Sequence, residues 1–470
     1  MTDIGSQQNP LRIAVFGAGP SGFYATESLT KQKDIQVQVD LFDRLPSPYG
    51  LVRGGVAPDH DKIKSVTKVY DRIAKQENVH YYGNVEFGVD ICVEDLPNYY
   101  HAAIFTVGAQ SDKSLGIAGE DLPGSHAATE FVGWYNAHPD YRDYEFDLNV
   151  KAAAIIGVGN VAMDVARILG RSQNELAQTD IADYALEALA HSQIETIYVI
   201  GRRGPAQAAF TNPEIKELGE MEDVDLIISP EEITLGKLTE DFLKSGQADR
   251  KDIRNVEIMQ AFSLRPPAGK PKQIVMRFLE SPVEIVGEDR VEAIRLVKNE
   301  LYQTESGELR PRPTTIIEEL PVGLVFRSVG YRGVPLTGLP FYDKWGIIPN
   351  IEGRVVDVFG SNHTLTGLYV AGWIKRGPSG VIGTNKPDSV ETAQHVLEDA
   401  KAGNVWQPIN PSVEAAEAFI RSRKPNCVNF EDWERISQME QQHGAEQGRP
   451  RVKFSCVADM LDVLKVPTTS

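Results

Sequence analysis

Two apolar runs in this chain each end in a glycine-rich turn, and each turn leads into a stretch with helical periodicity and then a second apolar run. The first unit is Arg12–Phe16, the turn Gly17-Ala-Gly19-Pro-Ser21-Gly22, a helix expected over Gly22–Leu29 and a strand over Val37–Phe42. The second is Ala152–Ile156, the turn Gly157-Val-Gly159-Asn160-Val161-Ala162, a helix through Met163 to Leu169 and a strand over Thr196–Ile200. Strand, turn, helix and strand in this order are the βαβ unit of a parallel sheet. In such a turn the first glycine permits the tight bend, the second lets the backbone approach a pyrophosphate, and the third lets helix and strand pack closely. The helix N-terminus supplies N–H groups and a partial positive charge to the phosphates. Ala162 in the third place is an allowed variant with slightly wider packing. The chain is therefore read as binding two dinucleotides.

The charge at the end of the second strand separates the two units. In the first unit that strand ends at Asp43, where a carboxylate accepts hydrogen bonds from adenosine ribose hydroxyls and repels a 2′-phosphate. In the second it ends at Arg202 and Arg203, and paired guanidinium groups suit a 2′-phosphate because they are always charged and donate bidentately. The first turn is assigned to FAD and the second to NADP, with NADPH preferred over NADH.

Between the units, Ala103–Val107 is mainly apolar and ends at Gly108, and a second such run, Leu324–Phe326, precedes Gly330. Both read as crossings between domains. At 470 residues the chain is long enough for two to three domains. The expected class is α/β, with two Rossmann-like, three-layer nucleotide-binding domains. An FAD-binding domain in two pieces, residues 1–108 and 331–470, receives an inserted NADP-binding domain, residues 109–330. Beyond about Pro408 only a helical stretch near Glu414–Arg421 and a polar segment, Gln438–Gly448, stand out. This tail is expected to pack on the first domain, with an exposed partner-binding tail as the alternative.

Composition narrows the function. The net charge of −18 opposes nucleic-acid binding, which needs a basic surface. No apolar run approaches the roughly 20 residues of a membrane span, and the first ten residues resemble neither a signal nor a transit peptide, so a mature cytoplasmic chain is expected. Cys92, Cys427 and Cys456 are widely spaced with no C-x-x-C pair, which fits a reducing compartment and argues against a zinc site or a redox-active disulfide. No metal is expected.

Four longer stretches go beyond a generic pattern: Leu51-Val-Arg-Gly-Gly-Val-Ala-Pro-Asp-His60, Val107-Gly-Ala-Gln-Ser111, Gly201-Arg-Arg-Gly-Pro205 with Ala208-Ala-Phe-Thr211, and Gly372-Trp-Ile-Lys-Arg-Gly-Pro-Ser-Gly-Val-Ile-Gly-Thr-Asn385. From about Leu11 to about Asn385 the chain resembles the adrenodoxin reductase family of ferredoxin-NADP reductases, in a bacterial form. The resemblance implies a two-domain fold of the glutathione-reductase type. It implies FAD contacts at Ser21, Asp43, Leu51, Phe87, Trp373 and Gly380, Val381 and Ile382. It implies NADP contacts at Asn160, Val161, Arg202, Arg203 and Glu214. It also places His60 near the flavin, and Asp164 with Glu214 or Glu217 toward the nicotinamide, as the candidate catalytic side chains. Trp373 stands where the wider flavoprotein class carries an Asp. Because an indole donates but does not accept, flavin contacts there are expected to be apolar or from backbone amides of Gly380–Ile382.

Hydride transfer between nicotinamide and flavin needs alignment more than acid–base groups, so few catalytic side chains are expected. The resemblance implies ferredoxin-NADP(+) reductase activity toward a ferredoxin or a similar acidic iron-sulfur protein. For two acidic partners to dock, a local basic surface is needed, and Lys237, Lys244, Arg250, Lys251 and Arg254 are the candidates. The alternatives are an NADPH-dependent flavoprotein reductase of a quinone or another carrier, and a non-catalytic nucleotide sensor.

Overall fold

The computed structural model describes residues 4–246 and 248–465, so the outermost ends of the expected first domain lie outside the described residues. Among the described residues the strands form two large sheets and two small ones. The first has seven strands in the order Asn350–Ile351, Arg354–Val356, Thr364–Val370, Ala102–Phe105, Leu11–Phe16, Val37–Phe42, Val79–Tyr82. Leu11–Phe16 lies centrally, parallel to both neighbours, with Phe16 opposite Phe42 on one side and Phe105 on the other. Alternation decides its faces: Ile13 and Val15 enter one core, Ala14 and Phe16 the other. At the C-terminal ends of the three central strands Phe16 stacks on Phe42 and Phe105, and Phe87 tilts across Phe16 and Phe105 at 4.8 Å from each.

The second sheet has six strands, ordered Ser125–Ala127, Leu324–Arg327, Ala152–Ile156, Thr196–Gly201, Lys272–Phe278, Val224–Ile227. One face packs on the helix Asn160–Gly170 and its neighbours. The other is covered by a three-stranded antiparallel sheet, Glu280–Val286, Ala293–Gln303 and Leu309–Pro321, through Ile285, Ile294, Leu296 and Leu320. The third layer of this half is therefore a sheet rather than helices.

The chain leaves the first sheet after Phe105 and returns to it at Asn350–Ile351. Its two passages lie side by side, because Ser111–Asp112 and Tyr331–Arg332 form an antiparallel pair. The expected helices run longer than the periodicity indicated, at Pro20–Thr30, Asn160–Gly170 and Val413–Arg423. The polar segment of the tail is mostly helix, Phe430–Glu446, whose Trp433 and Ile436 enter the core of the first half. Among the described residues no helix is long and apolar enough to cross a membrane.

Candidate functional site

In the first turn Gly17 sits at φ +107°, and a Cβ there would lie 2.7 Å from the Thr106 carbonyl oxygen. A Cβ on Gly22 would lie 2.0 Å from the Gly17 carbonyl oxygen, so helix and strand meet with no room for a methyl. Gly19 caps the helix Pro20–Thr30 in extended conformation with no side-chain cap. The N–H groups of Gly19, Ser21 and Gly22 consequently have no acceptor among the described residues, the state in which a helix N-terminus receives an anion. Asp43 accepts from the Ala18 and Leu45 N–H groups, each at 3.0 Å. Burial raises its pKa to about 6 against those two bonds and the Arg44 charge. Each carboxylate oxygen keeps a second lone pair for a ribose hydroxyl. Leu51 opens the short helix that comes after Gly50, whose Cα lies 3.8 Å from a Cβ built on Gly19.

The second turn repeats the plan. Gly157, at φ +136°, would bring a Cβ to 2.1 Å from the Ser328 carbonyl oxygen, while Gly159 has open space around it. The N–H groups of Gly159, Asn160 and Val161 are unpaired among the described residues. The Asn160 side chain accepts from the Thr211 N–H at 2.9 Å, which ties the turn to the segment that starts the next helix. Arg202 is exposed and Arg203 half-buried at the end of Thr196–Gly201, and neither guanidinium is in a hydrogen bond or ion pair among the described residues. Burial and then the Arg202 charge lower the pKa of Arg203, and the Asp252 charge offsets them only in part.

A third feature lies on the segment Gly372–Asn385. Trp373 donates its indole N–H to the Ser379 carbonyl at 3.3 Å and faces Tyr331 at 5.4 Å. Gly372, at φ +78°, would bring a Cβ to 2.1 Å from the Ser21 hydroxyl, which brings this segment against the first turn. The backbone N–H groups of Gly380, Val381 and Ile382 have no acceptor among the described residues, and Val381 is 50% exposed. Three free amides, an exposed aliphatic side chain and a nearby indole fit an aromatic ring system with carbonyl groups on one edge. The donors, acid and glycine cradles thus fit FAD at the first turn.

Between the two halves lies a buried ion network. His60 meets Glu217 at 3.0 Å through Nε2 and Asp164 at 3.8 Å through Nδ1. Arg167, 0% exposed, donates to Asp59 and Asp164 at 2.6 Å and to Glu214 at 3.1 Å. Arg171 adds bonds to Asp59, Glu175 and Glu217. Burial disfavours the charged His60 ring, but the Glu217 bond together with the Asp164 and Asp59 charges outweighs it and the pKa is raised. Glu217 is lowered by that same bond. Burial, followed by the Asp164 charge, raises Glu214 to about 7, and burial also raises Asp164 against Arg167. Burial opposes ionisation of Asp59 too, yet the two arginines hold it well below the usual carboxylate range.

His60, Asp164, Glu214 and Glu217 are thus brought together from two distant stretches of sequence. Ligand atoms of His60, Glu214 and Glu217 lie within 4.8 Å of one another, but the positive charge beside them comes from Arg167 and Arg171. Sequence reasoning missed Asp59, Arg167 and Arg171. The signal was present: Asp164, Arg167 and Arg171 fall at helical spacing on one face. The basic candidates are less positive than their composition suggested. Lys244, Lys251 and Arg254 pair with Glu240, Asp252 and Glu257, leaving Lys237 and Arg250 without ion pairs among the described residues.

No protein-family model matches the chain. Whole-chain similarity is high nonetheless. The chain is 44% identical over 456 residues to NADPH-ferredoxin reductase FprA of Mycobacterium leprae, covering 96% of this chain and 98% of that one. It is 38% identical over 469 residues to the mitochondrial NADPH:adrenodoxin oxidoreductase of Homo sapiens, covering 98% and 93%. Among solved structures, Mycobacterium tuberculosis FprA in complex with NADPH superposes with a TM-score of 0.90 at 43% identity over 97% of this chain and 99% of that one. With relatives this similar along nearly its whole length, the chain belongs to the adrenodoxin reductase family.

Proposed function

We infer that this protein is a flavoprotein oxidoreductase that takes electrons from NADPH and passes them through FAD to an iron-sulfur protein. The carrying observation is the contrast between two unpaired helix N-termini, one leading to Asp43 and the other to Arg202 and Arg203. The relatives' names, NADPH-ferredoxin reductase and NADPH:adrenodoxin oxidoreductase, agree with it.

Bound FAD supplies the chemistry that converts a two-electron donor into single-electron steps. The chain's own residues bind and align. Gly19, Ser21 and Gly22 N–H groups receive the FAD pyrophosphate, and Asp43 its ribose. Gly159, Asn160 and Val161 receive the NADP pyrophosphate, and Arg202 and Arg203 its 2′-phosphate. The free amides of Gly380–Ile382 would hold the flavin's carbonyl edge, Trp373 and Phe87 would bound its apolar surroundings, and Leu51 lies beside the first turn. His60, held by Glu217 and Asp164, joins the flavin side to the nicotinamide side. Glu214, held by Arg167, would lie toward the nicotinamide. In this reading residues 1–108 and 331–470 bind FAD and residues 109–330 bind NADP.

The finer assignment, ferredoxin-NADP(+) reductase with an acidic ferredoxin as partner, rests on the resemblance and on the chain's own net charge of −18, which requires a local basic dock. Lys237 and Arg250 are expected to carry most of it. The test is anaerobic mixing with NADPH or NADH, and then reduction of a panel of ferredoxins from the same genome. Bleaching of the flavin spectrum by NADPH and salt-sensitive ferredoxin reduction are expected. Absence of bleaching would point to a nucleotide sensor, and reduction of quinones but of no iron-sulfur protein to the other reductase reading.

A further inference from the structure

The tail offers a feature that nucleotide binding does not use. After the helix Phe430–Glu446 the segment from Arg449 to Phe454 runs along the junction of the two halves and bonds to both. Arg449, 7% exposed, donates to the Thr179 carbonyl at 3.0 Å, to the Ile181 carbonyl and to Asp183, all on the NADP side. Four residues on, the Lys453 ammonium reaches the Arg53 carbonyl at 3.2 Å on the FAD side. It also reaches the Asn136 carbonyl at 3.3 Å and Asp180 at 3.2 Å on the other. Asp180 in turn accepts from Lys64. Lys64 belongs to the short helix capped by His60, whose carbonyl accepts from Ile63 at 3.0 Å. Arg53 is held by Glu440, fully buried, which also accepts from Arg451 at 3.1 Å and from the Phe454 N–H at 2.9 Å.

We propose that Arg449 and Lys453 are positioning residues that form an interdomain clasp, fixing the separation of the two nucleotide turns for hydride transfer. Three observations carry it. Both side chains are buried, so their polar ends depend on the partners they reach across the junction; burial outweighs Asp180 and lowers the pKa of the Lys453 ammonium to about 7. Lys453 bonds at once to Arg53, two residues past Leu51, and to Asn136 and Asp180 of the other half, and no other described side chain makes that set of bonds. Finally, the Lys453–Asp180–Lys64 chain ends on the short helix capped by His60, so a shift at the clasp is transmitted to the His60–Glu217 contact. Transfer between two bound rings depends steeply on their separation and alignment, whereas each nucleotide's own binding groups lie within one half. Loosening the clasp therefore acts on the transfer rate and spares affinity.

The inference rests on the proposed NADPH-to-FAD transfer. The experiment uses the full-length holoenzyme, with the wild type, Lys453→Met, Lys453→Arg, Arg449→Lys and Asp180→Asn compared by anaerobic rapid mixing with NADPH. Flavin content and melting temperature are recorded alongside. Lys453→Met and Arg449→Lys are expected to reduce the flavin between about tenfold and a hundredfold more slowly at saturating NADPH. Their NADPH Kd should stay within about twofold of wild type, with a weaker long-wavelength charge-transfer band between nicotinamide and flavin. Lys453→Arg should recover part of the rate. If the clasp variants keep their flavin and reduce it at the wild-type rate, the clasp is wrong. It is equally wrong if the rate falls only in proportion to lost flavin or raised Kd in all four variants. If the wild type itself is not reduced by NADPH, the failure lies in the functional reading instead.

Discussion

The two glycine turns share one plan and differ in how much each encloses. In the first, a methyl on Gly22 would overlap the Gly17 carbonyl oxygen, whereas in the second Ala162 occupies the matching place and is fully buried without conflict. At the end of the second strand Asp43 is fastened to two backbone N–H groups, while the guanidinium groups of Arg202 and Arg203 make no hydrogen bond or ion pair among the described residues. Both turns present free N–H groups, but the first is the tighter at its third position and has its acidic side chain fixed by the backbone. Under the proposed assignment, that difference suits a resident cofactor at the first turn and an exchanging co-substrate at the second.

The contrast is broken most severely at the third glycine. Gly22→Ala is expected to part helix from strand, at about 1–3 kcal/mol or more of overpacking, and to yield protein largely free of flavin by its visible absorbance. The reverse change, Ala162→Gly, should cost only about 0.5–1 kcal/mol of helix stability and leave the NADPH KM nearly unchanged. Equal flavin loss in the two variants would show that the turns do not differ in tightness. Next in size, the double change Arg202→Ala and Arg203→Ala removes charge-assisted bonds worth about 1.5–3 kcal/mol, so the NADPH KM should rise about 10- to 100-fold while that for NADH stays put. An unchanged preference between the two nucleotides would refute the 2′-phosphate assignment.

Asp43→Asn should act on FAD retention alone. It keeps the shape but weakens the acceptor, so dissociation of FAD in dialysis should accelerate several-fold with no change in NADPH KM. The smallest effect concerns pH. Glu214 titrates near 7, neutral below and ionised above, because burial and the Asp164 charge disfavour its anion. The oxidised nicotinamide carries a positive charge that the reduced form lacks. As pH rises through about 7, binding of NADP+ should therefore strengthen a few-fold relative to NADPH, and titration calorimetry on Glu214→Gln should find that ratio flat.

Much of this contrast was legible in the sequence, for a local reason. The strands, turns and ribose-end charges all lie within single βαβ units, where period-2 and period-3.6 patterns and glycine sterics act between near neighbours. The contacts that stayed hidden join distant residues. Asp59 finds Arg167 only because two half-chains pack together, and Lys453 finds Asn136 and Arg53 for the same reason. The antiparallel sheet was masked differently. Pro311 and Pro313 in its outer strand Leu309–Pro321 are tolerated only because that strand is an edge. Its mostly exposed residues gave no alternation to read. The basic stretch misled because composition counts charges but not the carboxylates one turn away.

The paired passages Ser111–Asp112 and Tyr331–Arg332 carry a last consequence. The intervening stretch of more than two hundred residues enters and leaves the molecule through one doorway, its ends about 4.8 Å apart as neighbouring strands are. Such a stretch is a cassette. It can be cut out, circularised or exchanged for a relative's without re-threading the rest of the chain. A graft spliced at that doorway would keep its covalent joints intact, and the contacts across the junction, such as Lys64 and Lys453 with Asp180 and Asp59 with Arg167, would reveal whether the newcomer had been matched to its host.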